Sequence, residues 1–210
     1  MIKITRILAV AGIVAASARG QGFVNLNFAS AQNVTNSGMS MPIANALPGW
    51  TAYNGPVTLS DALANIEYLT NSAYVGGSVE LLGGSAALSG NAFSVYLGPN
   101  GAISQTATVT ANVESLQFEA TTLDNLYVTL GGQSLAYALL SEGPDYDVYG
   151  ANIPAGLDGQ TEALIFGMQG IGQTLLDDIA FSTSSVPEPS ACALFGLGAL
   201  LFVLRRLRQQ

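Results

Sequence analysis

The chain has 210 residues, with 14 Asp and Glu against 6 Lys and Arg, no His and a single Cys. The basic residues lie only near the two ends, because the stretch between Gly20 and Val186 contains 13 carboxylates and no Lys, Arg or His. This distribution excludes a nucleic-acid-binding body, which needs cations against phosphate, and a catalytic or zinc site built on histidine. The length allows one ordinary domain with a tail at each end.

The first 18 residues predict a secretory signal peptide, which would pass through the Sec translocon and be removed by signal peptidase. Lys3 and Arg6 form a basic start, residues 7–15 are an unbroken apolar run, and Ala16 and Ala18 are the small residues of a cleavage site. Basic start, apolar run and small residues come in the order of a signal peptide. A buried N-terminal helix or strand is the alternative.

The body, residues 19–182, predicts an all-β fold. Short stretches of alternating or β-rich sequence recur every 8–15 residues or so, which is typical of a two-sheet antiparallel β-sandwich. The predicted strands are residues 23–28, 92–97, 103–109, 115–120, 126–130, 163–168 and 178–181. Residues 131–134 predict a hairpin turn, since Gly131 and Gly132 separate two strands. One helix is predicted over residues 60–70, with its apolar side chains on one face.

Three local patterns resemble galactose-binding-like jelly rolls, the fold of many carbohydrate-binding modules. They are residues 25–28 (Asn-Leu-Asn-Phe), residues 48–51 (Pro-Gly-Trp-Thr) and residues 176–181 (Leu-Asp-Asp-Ile-Ala-Phe). The resemblance implies a jelly-roll-like sandwich. Trp50 is expected in the core of that sandwich, and stacking of its ring on a sugar is the alternative. The resemblance also implies that Asp177 and Asp178 are the candidate calcium ligands. Ala29 stands where that family often has a calcium-binding Glu, which removes part of the implied site.

A second cluster could contact a ligand. Asp145, Tyr146, Asp147 and Tyr149 combine carboxylates with aromatic rings, and such rings stack on sugars at a small entropic cost. Carboxylates and loop carbonyls are also the oxygen ligands that calcium takes. The alternative for the carboxylates is an exposed, solubilising surface, and for the two tyrosines it is loop packing.

The tail, residues 183–210, begins with a polar spacer. A motif follows, then an apolar run over residues 191–204, and three arginines close the sequence. The motif consists of Val186, Pro187, Glu188, Pro189 and Ser190, and the arginines are Arg205, Arg206 and Arg208. As a helix the apolar run would be about 21 Å long, short for a bilayer core of about 30 Å. Arginines after the run predict that this end is cytoplasmic, so the body lies outside.

This order of features resembles the PEP-CTERM sorting tail of Gram-negative bacteria. In that family an exosortase, a membrane protease-transpeptidase, recognises the tail, and the protein passes to the envelope or the exopolysaccharide matrix. The resemblance implies processing at or near Pro187–Pro189. Two prolines keep the motif extended, because they interrupt both helix and sheet. A plain membrane anchor with a proline-rich hinge is the alternative.

The sequence thus predicts an exported protein, first a single-pass membrane protein and then a component of the outer envelope or matrix. Its body is expected to be a non-enzymatic structural or glycan-associating module that needs no cofactor beyond the candidate calcium. A lectin-like domain with a defined ligand site is one alternative. An extracellular glycoside hydrolase is another, since two carboxylates at the right separation would suffice. Nucleic acid is not an expected partner.

Overall fold

The computed structural model describes residues 22–71, 73, 75–88 and 90–187. Within these ranges, no helix combines the length and the apolar character needed to cross a bilayer. The predicted signal peptide, the apolar run over residues 191–204 and the three arginines lie outside the described residues. The described part is built of two packed β-sheets, which confirms the all-β, two-sheet prediction.

The two sheets differ in size. The large sheet has, in spatial order, β1 (Met39–Pro42), β3 (Asn65–Leu69), β4 (Val79–Gly83), β5 (Phe93–Leu97), β13 (Thr174–Ser182), β7 (Ser115–Ala120), β11 (Asp147–Asn152) and β10 (Tyr137–Ser141). The small sheet has β2 (Thr51–Asn54), β6 (Gly101–Thr108), β12 (Thr161–Met168), β8 (Leu126–Leu130) and β9 (Gln133–Ser134). One short helix, α1 (Ile43–Ala46), and two 3₁₀ turns, Leu59–Asp61 and Gly84–Ala86, complete the described elements.

Strand pairing is antiparallel with one exception. The strands β3 and β4 pair in parallel, with Tyr68 opposite Leu81. The predicted antiparallel sandwich is therefore correct for every other described pair. The hairpin turn predicted at residues 131–134 is confirmed, because β8 and β9 pair through Leu130 and Gln133.

Most predicted strands are confirmed, because alternation along the chain matches burial. Residues 115–120 coincide with β7, where Leu116, Phe118 and Ala120 are fully buried and the residues between them are more exposed or polar. Alternate residues of a strand point to opposite faces, so this pattern separates a face toward the core from an outer face. We call the side of the large sheet turned away from the small sheet its outer face.

The prediction of a strand at residues 23–28 is wrong. Asn25 and Phe28 have φ angles of 51° and 50°, in the left-handed region that a strand cannot use. The segment turns instead, and the Asn25 side-chain oxygen accepts a hydrogen bond from the Ser30 N–H at 2.9 Å. Asparagine tolerates this backbone and bonds locally, which explains the turn.

The prediction of a helix at residues 60–70 is also wrong. The segment contains the end of a 3₁₀ turn and then the strand β3. In β3 the side chains of Ile66 and Tyr68 are buried, while Asn65 and Glu67 are exposed. Pairing with β1 and β4 therefore selects a period of two residues over the helical spacing of the apolar residues.

Aromatic side chains join the two sheets. Phe118 of β7 and Phe166 of β12 meet edge to face, with ring centroids 5.2 Å apart, and both are fully buried. Trp50 is 4% exposed, which confirms its expected place in the core, and its ring lies 5.7 Å from that of Phe28. The indole N–H of Trp50 donates to the Asn25 carbonyl at 3.1 Å, so its polar atom is satisfied.

The three jelly-roll-like patterns meet in space. Trp50 contacts the turn at Asn25 through its indole, and the Ile179 N–H donates to the Leu26 carbonyl at 3.0 Å. The first and last segments of the body are therefore bonded to each other. This arrangement is consistent with the predicted jelly-roll-like fold.

Candidate functional site

An acidic row lies on the outer face of the large sheet. Asp177 of β13 is paired with Glu119 of β7, and direct partners in antiparallel strands share a face. A β-bulge follows Asp177, and Asp178 has a φ angle of 41°. Burial and then the charge of Asp178 raise the Glu119 pKa, so Asp178 interacts with the Asp177–Glu119 pair. We call Asp177, Asp178 and Glu119 the acidic row.

Asp177 is the most perturbed acid of the row. Its side chain is fully buried, and burial raises its pKa from 3.8 to about 7, with smaller contributions from the charges of Asp178 and Glu119. Two hydrogen bonds act in the opposite direction. The Ser94 hydroxyl donates to Oδ2 at 2.8 Å, and the Asp178 N–H donates to Oδ1 at 2.7 Å. Both oxygens are therefore engaged within the protein.

A loop that includes residues 84–88 and 90–92, which we call the cover loop, packs over the row. The Leu88 N–H donates to the Ser94 hydroxyl oxygen at 2.9 Å, and the Asn91 side-chain amide donates to Glu119 Oε2 at 3.3 Å. Burial raises the Glu119 pKa first and the charge of Asp178 second, while hydrogen bonds from Tyr146 and Asn91 lower it. An open groove of about 560 Å³ runs between the cover loop and Asp145.

The structure divides the four predicted ligand residues between two faces. Asp145 is exposed and lines the groove, and Tyr146 hydrogen-bonds to Glu119. The charge of Glu119 is the main cause of a raised Tyr146 pKa. Asp147 is paired with Ala120, whose side chain lies in the core, so Asp147 belongs to the inner face at the end of β11.

Tyr149 lies in the core. It is 8% exposed, its ring stacks on Phe118 at a centroid distance of 5.8 Å, and Tyr137 meets it edge to face at 6.2 Å. Its hydroxyl donates to Asp147 Oδ2 at 3.0 Å, and burial is the first cause that raises its pKa to about 12. Its ring face is covered by Phe118, so only Asp145 and Tyr146 of the predicted set remain together at an accessible surface.

The described residues give no direct support to a calcium ion at the acidic row. Among the residues that the structure describes, no three Asp, Glu, His or Cys side chains are placed to share a metal. Calcium takes six to eight oxygen ligands, whereas both Asp177 oxygens already accept hydrogen bonds. Calcium at Asp177 and Asp178 stays a prediction, without support from this geometry.

Sequence reasoning did not select Glu119, Ser94 or Asn91 as site residues. Alternation in residues 115–120 does place Glu119 on the outer face, and that signal was available. The proximity of these three residues to Asp177 could not be read from the sequence, because β5, β13 and β7 become neighbours only through long-range pairing.

The described chain ends beside a second site, where the predicted sorting motif meets the body. Val186 is 7% exposed and lies on the outer face over Gly150. The Asn152 side chain bonds to both backbone groups of Val186. Pro187 is exposed, and Glu188, Pro189 and Ser190 lie outside the described residues.

Residues 185–209 match the family profile of the PEP-CTERM protein-sorting motif. The chain carries a PEP-CTERM sorting tail. The motif indicates an exported protein that is targeted to the envelope, and it implies processing by an exosortase, a membrane protease. It covers the end of the chain and leaves the body unclassified.

No curated protein matches the chain in sequence. Among solved structures, the enzymatically active domain of bacteriophage CBA120 tailspike protein 4 is similar over 64% of this chain and 19% of its own, with 12% identity and a TM-score of 0.36. The Epithelial Adhesin 6 A domain of Candida glabrata, solved with Galb1-3GlcNAc, is similar over 78% of this chain and 88% of its own, with 13% identity and a TM-score of 0.27. The chain thus spans about a fifth of the tailspike domain, and at these scores neither likeness supports a conclusion about the body.

Proposed function

We propose that the protein is an exported component of the outer envelope or extracellular matrix, whose body is a non-enzymatic structural or glycan-associating module. The sorting motif at residues 185–209 carries this proposal, since it implies export and exosortase processing. The charge of the body is compatible with such a place. Its 13 carboxylates and lack of basic residues disfavour anionic partners and favour neutral polymers or cation-bridged ones.

The environment of Asp177 supports a non-enzymatic body. A general acid or base must reach its substrate within hydrogen-bond distance. Asp177 has the raised pKa of such a group, but it is fully buried and both its oxygens are engaged by Ser94 and Asp178. The raised pKa of Asp177 therefore follows from its burial, and we assign this carboxylate a structural role.

The intact mass of the protein from its native cells tests the proposal. Cells are fractionated into membrane, matrix and medium, and each species is weighed. We expect a matrix or medium species that starts near Arg19 or Gln21 and ends near Pro187–Pro189. A species that retains residues 191–210 and stays in the membrane fraction would instead identify a plain anchor and refute the sorting proposal.

A lectin-like site is the second candidate, and it is favoured by one observation. Asp145 and Tyr146 together line a smaller open groove of about 300 Å³, where a carboxylate and an aromatic ring can contact a sugar. The test is retention of the protein on neutral and acidic polysaccharides, with and without divalent cations. Tyr146→Ala is expected to abolish retention if this site binds, whereas the control variant Glu67→Ala, at an exposed residue of the distant strand β3, is not. Equal retention of both variants would contradict the site.

A further inference from the structure

The segment that precedes the Pro-Glu-Pro motif is bonded to the body. The Asn152 Nδ2 donates to the Val186 carbonyl at 3.0 Å, and the Asn152 Oδ1 accepts the Val186 N–H at 2.6 Å. We call these two hydrogen bonds the Asn152 clamp. They satisfy both backbone polar groups of Val186, as pairing with a neighbouring strand would.

A glycine makes room for the Val186 side chain. A Cβ atom built at Gly150 would lie 2.7 Å from Val186 Cγ2 and 2.7 Å from Leu140 Cδ1. These separations are far below the contact distance of two carbon atoms. A methyl group at position 150 would therefore require the side chains of both Val186 and Leu140 to shift.

Contacts with the body also precede the clamp. The Ser115 hydroxyl donates to the Ser184 carbonyl at 2.7 Å, and the Ser184 N–H donates to the Ser182 hydroxyl oxygen at 3.1 Å. The strand β13 ends at Ser182, so these bonds extend the packed chain to Val186. Pro187, the first proline of the motif, is exposed. Within the described residues, packing against the body thus extends to Val186, the residue before the Pro-Glu-Pro sequence.

The clamp makes the backbone of Val186 inaccessible to an enzyme that would bind it. Enzymes and domains that recognise extended peptides commonly bind the peptide's backbone groups as well as its side chains. On the N-terminal side of the motif, both backbone groups of Val186 and the carbonyl of Ser184 already form hydrogen bonds with the body. The five residue steps from Val186 to Ala191 span at most about 18 Å when fully extended. With the apolar run in the bilayer, Val186 and the body around it would therefore lie within this distance of the start of that run.

We propose that the Asn152 clamp is an autoinhibitory contact, which must open before the sorting enzyme can process the tail. The inference rests on the proposed function, since it presumes that the motif is processed. Opening releases two hydrogen bonds and exposes the Val186 side chain, so the clamped form dominates. The processing rate then scales with the small fraction of molecules in which Val186 is free.

Two substitutions open the clamp by different routes. Asn152→Ala removes both hydrogen bonds, and we expect the open fraction to rise roughly tenfold. Gly150→Ala keeps the Asn152 side chain but adds a methyl group in the space that the Val186 and Leu140 side chains occupy. Asn36→Ala is the matched control, because Asn36 is exposed and its side-chain amide donates only to the neighbouring Thr35.

The experiment follows the full chain in its native cells by pulse–chase, as precursor is converted to processed product. Asn152→Ala and Gly150→Ala are expected to be processed faster, by up to roughly tenfold for the former, and Asn36→Ala at the wild-type rate. Hydrogen exchange of the Val186 amide, measured on the full chain in detergent, should accelerate by a similar factor in Asn152→Ala. An unchanged melting temperature of the body shows that the variants remain folded.

The outcomes separate the two proposals. If the wild-type chain is processed but both variants are processed no faster, the clamp is not inhibitory and the inference fails alone. Unchanged exchange of the Val186 amide in Asn152→Ala would overturn the inference as well. If the wild-type chain is never processed, the sorting proposal fails, and the inference fails with it.

Discussion

Deprotonation of Asp177 should make the body less stable as the pH rises. The folded protein holds the Asp177 proton up to a pKa of about 7, whereas an unburied aspartate loses it near 3.8. Between these values the folded state binds more protons than the unfolded state, so stability falls with increasing pH. The stability present below pH 3.8 is thus lost progressively as the pH passes through about 7.

The size of the effect follows from the two pKa values. Each pH unit between the two pKa values lowers the free energy of unfolding by about 1.4 kcal/mol. Asp177 therefore contributes a loss of about 4 kcal/mol in that free energy. Because the side chain is fully buried, solvent screening reduces this value little. Such a loss is a large part of the total stability of a domain, which is commonly about 5–15 kcal/mol.

Asp177→Asn isolates this contribution. The amide has nearly the same shape, can still accept the Asp178 N–H, and does not titrate. Urea unfolding, followed by circular dichroism at several pH values between about 4 and 8, measures the free energy of unfolding of both proteins. The wild type is expected to lose about 4 kcal/mol more than the variant across this range.

Asp124→Asn serves as the matched control, since Asp124 is exposed. It should lose stability with pH as the wild type does, because Asp177 is still present and Glu119 and Asp178, whose pKa values burial also raises, are unchanged. Parallel curves for the wild type and Asp177→Asn would refute the reasoning. They would mean that Asp177 stays ionised in the folded state, stabilised by its hydrogen bonds despite burial.

Two further substitutions test the packing of the sheets. Gly101→Ala should destabilise the body by about 2 kcal/mol or more, because its Cβ would lie 1.7 Å from the Ser78 carbonyl oxygen. The control Gly76→Ala, with nothing within 4 Å of its Cβ, should change the urea midpoint little. Equal effects of the two substitutions would show that the backbone at Gly101 adjusts freely. Trp50→Phe should cost about 1–2 kcal/mol, since it removes the indole hydrogen bond to the Asn25 carbonyl and some buried area, and a thermal unfolding midpoint equal to that of the wild type would contradict that contact.

The local pattern of the sequence was sufficient where burial alternates without interruption. Residues 115–120 were predicted as a strand and form β7, and the turn at residues 131–134 follows from its glycines. The local pattern was insufficient where the spacing of apolar residues fits both a helix and a strand. Residues 60–70 space their apolar side chains like a helix, but β1 and β4 supply partners on both sides and impose a strand. Local periodicity cannot choose between these outcomes, because the partners are remote in sequence.

The sequence by itself determined the destination of this protein and the character of its body. The order of proline motif, apolar run and arginines is readable without a fold, because targeting signals act as linear segments. Only the tertiary structure decided which side chains meet. It placed Glu119 beside Asp177, put Tyr149 in the core, and brought Asn152 to Val186 across 34 residues. The physical reason is that sheet pairing joins distant strands, and burial then changes the pKa values and the accessibility of whatever those strands carry.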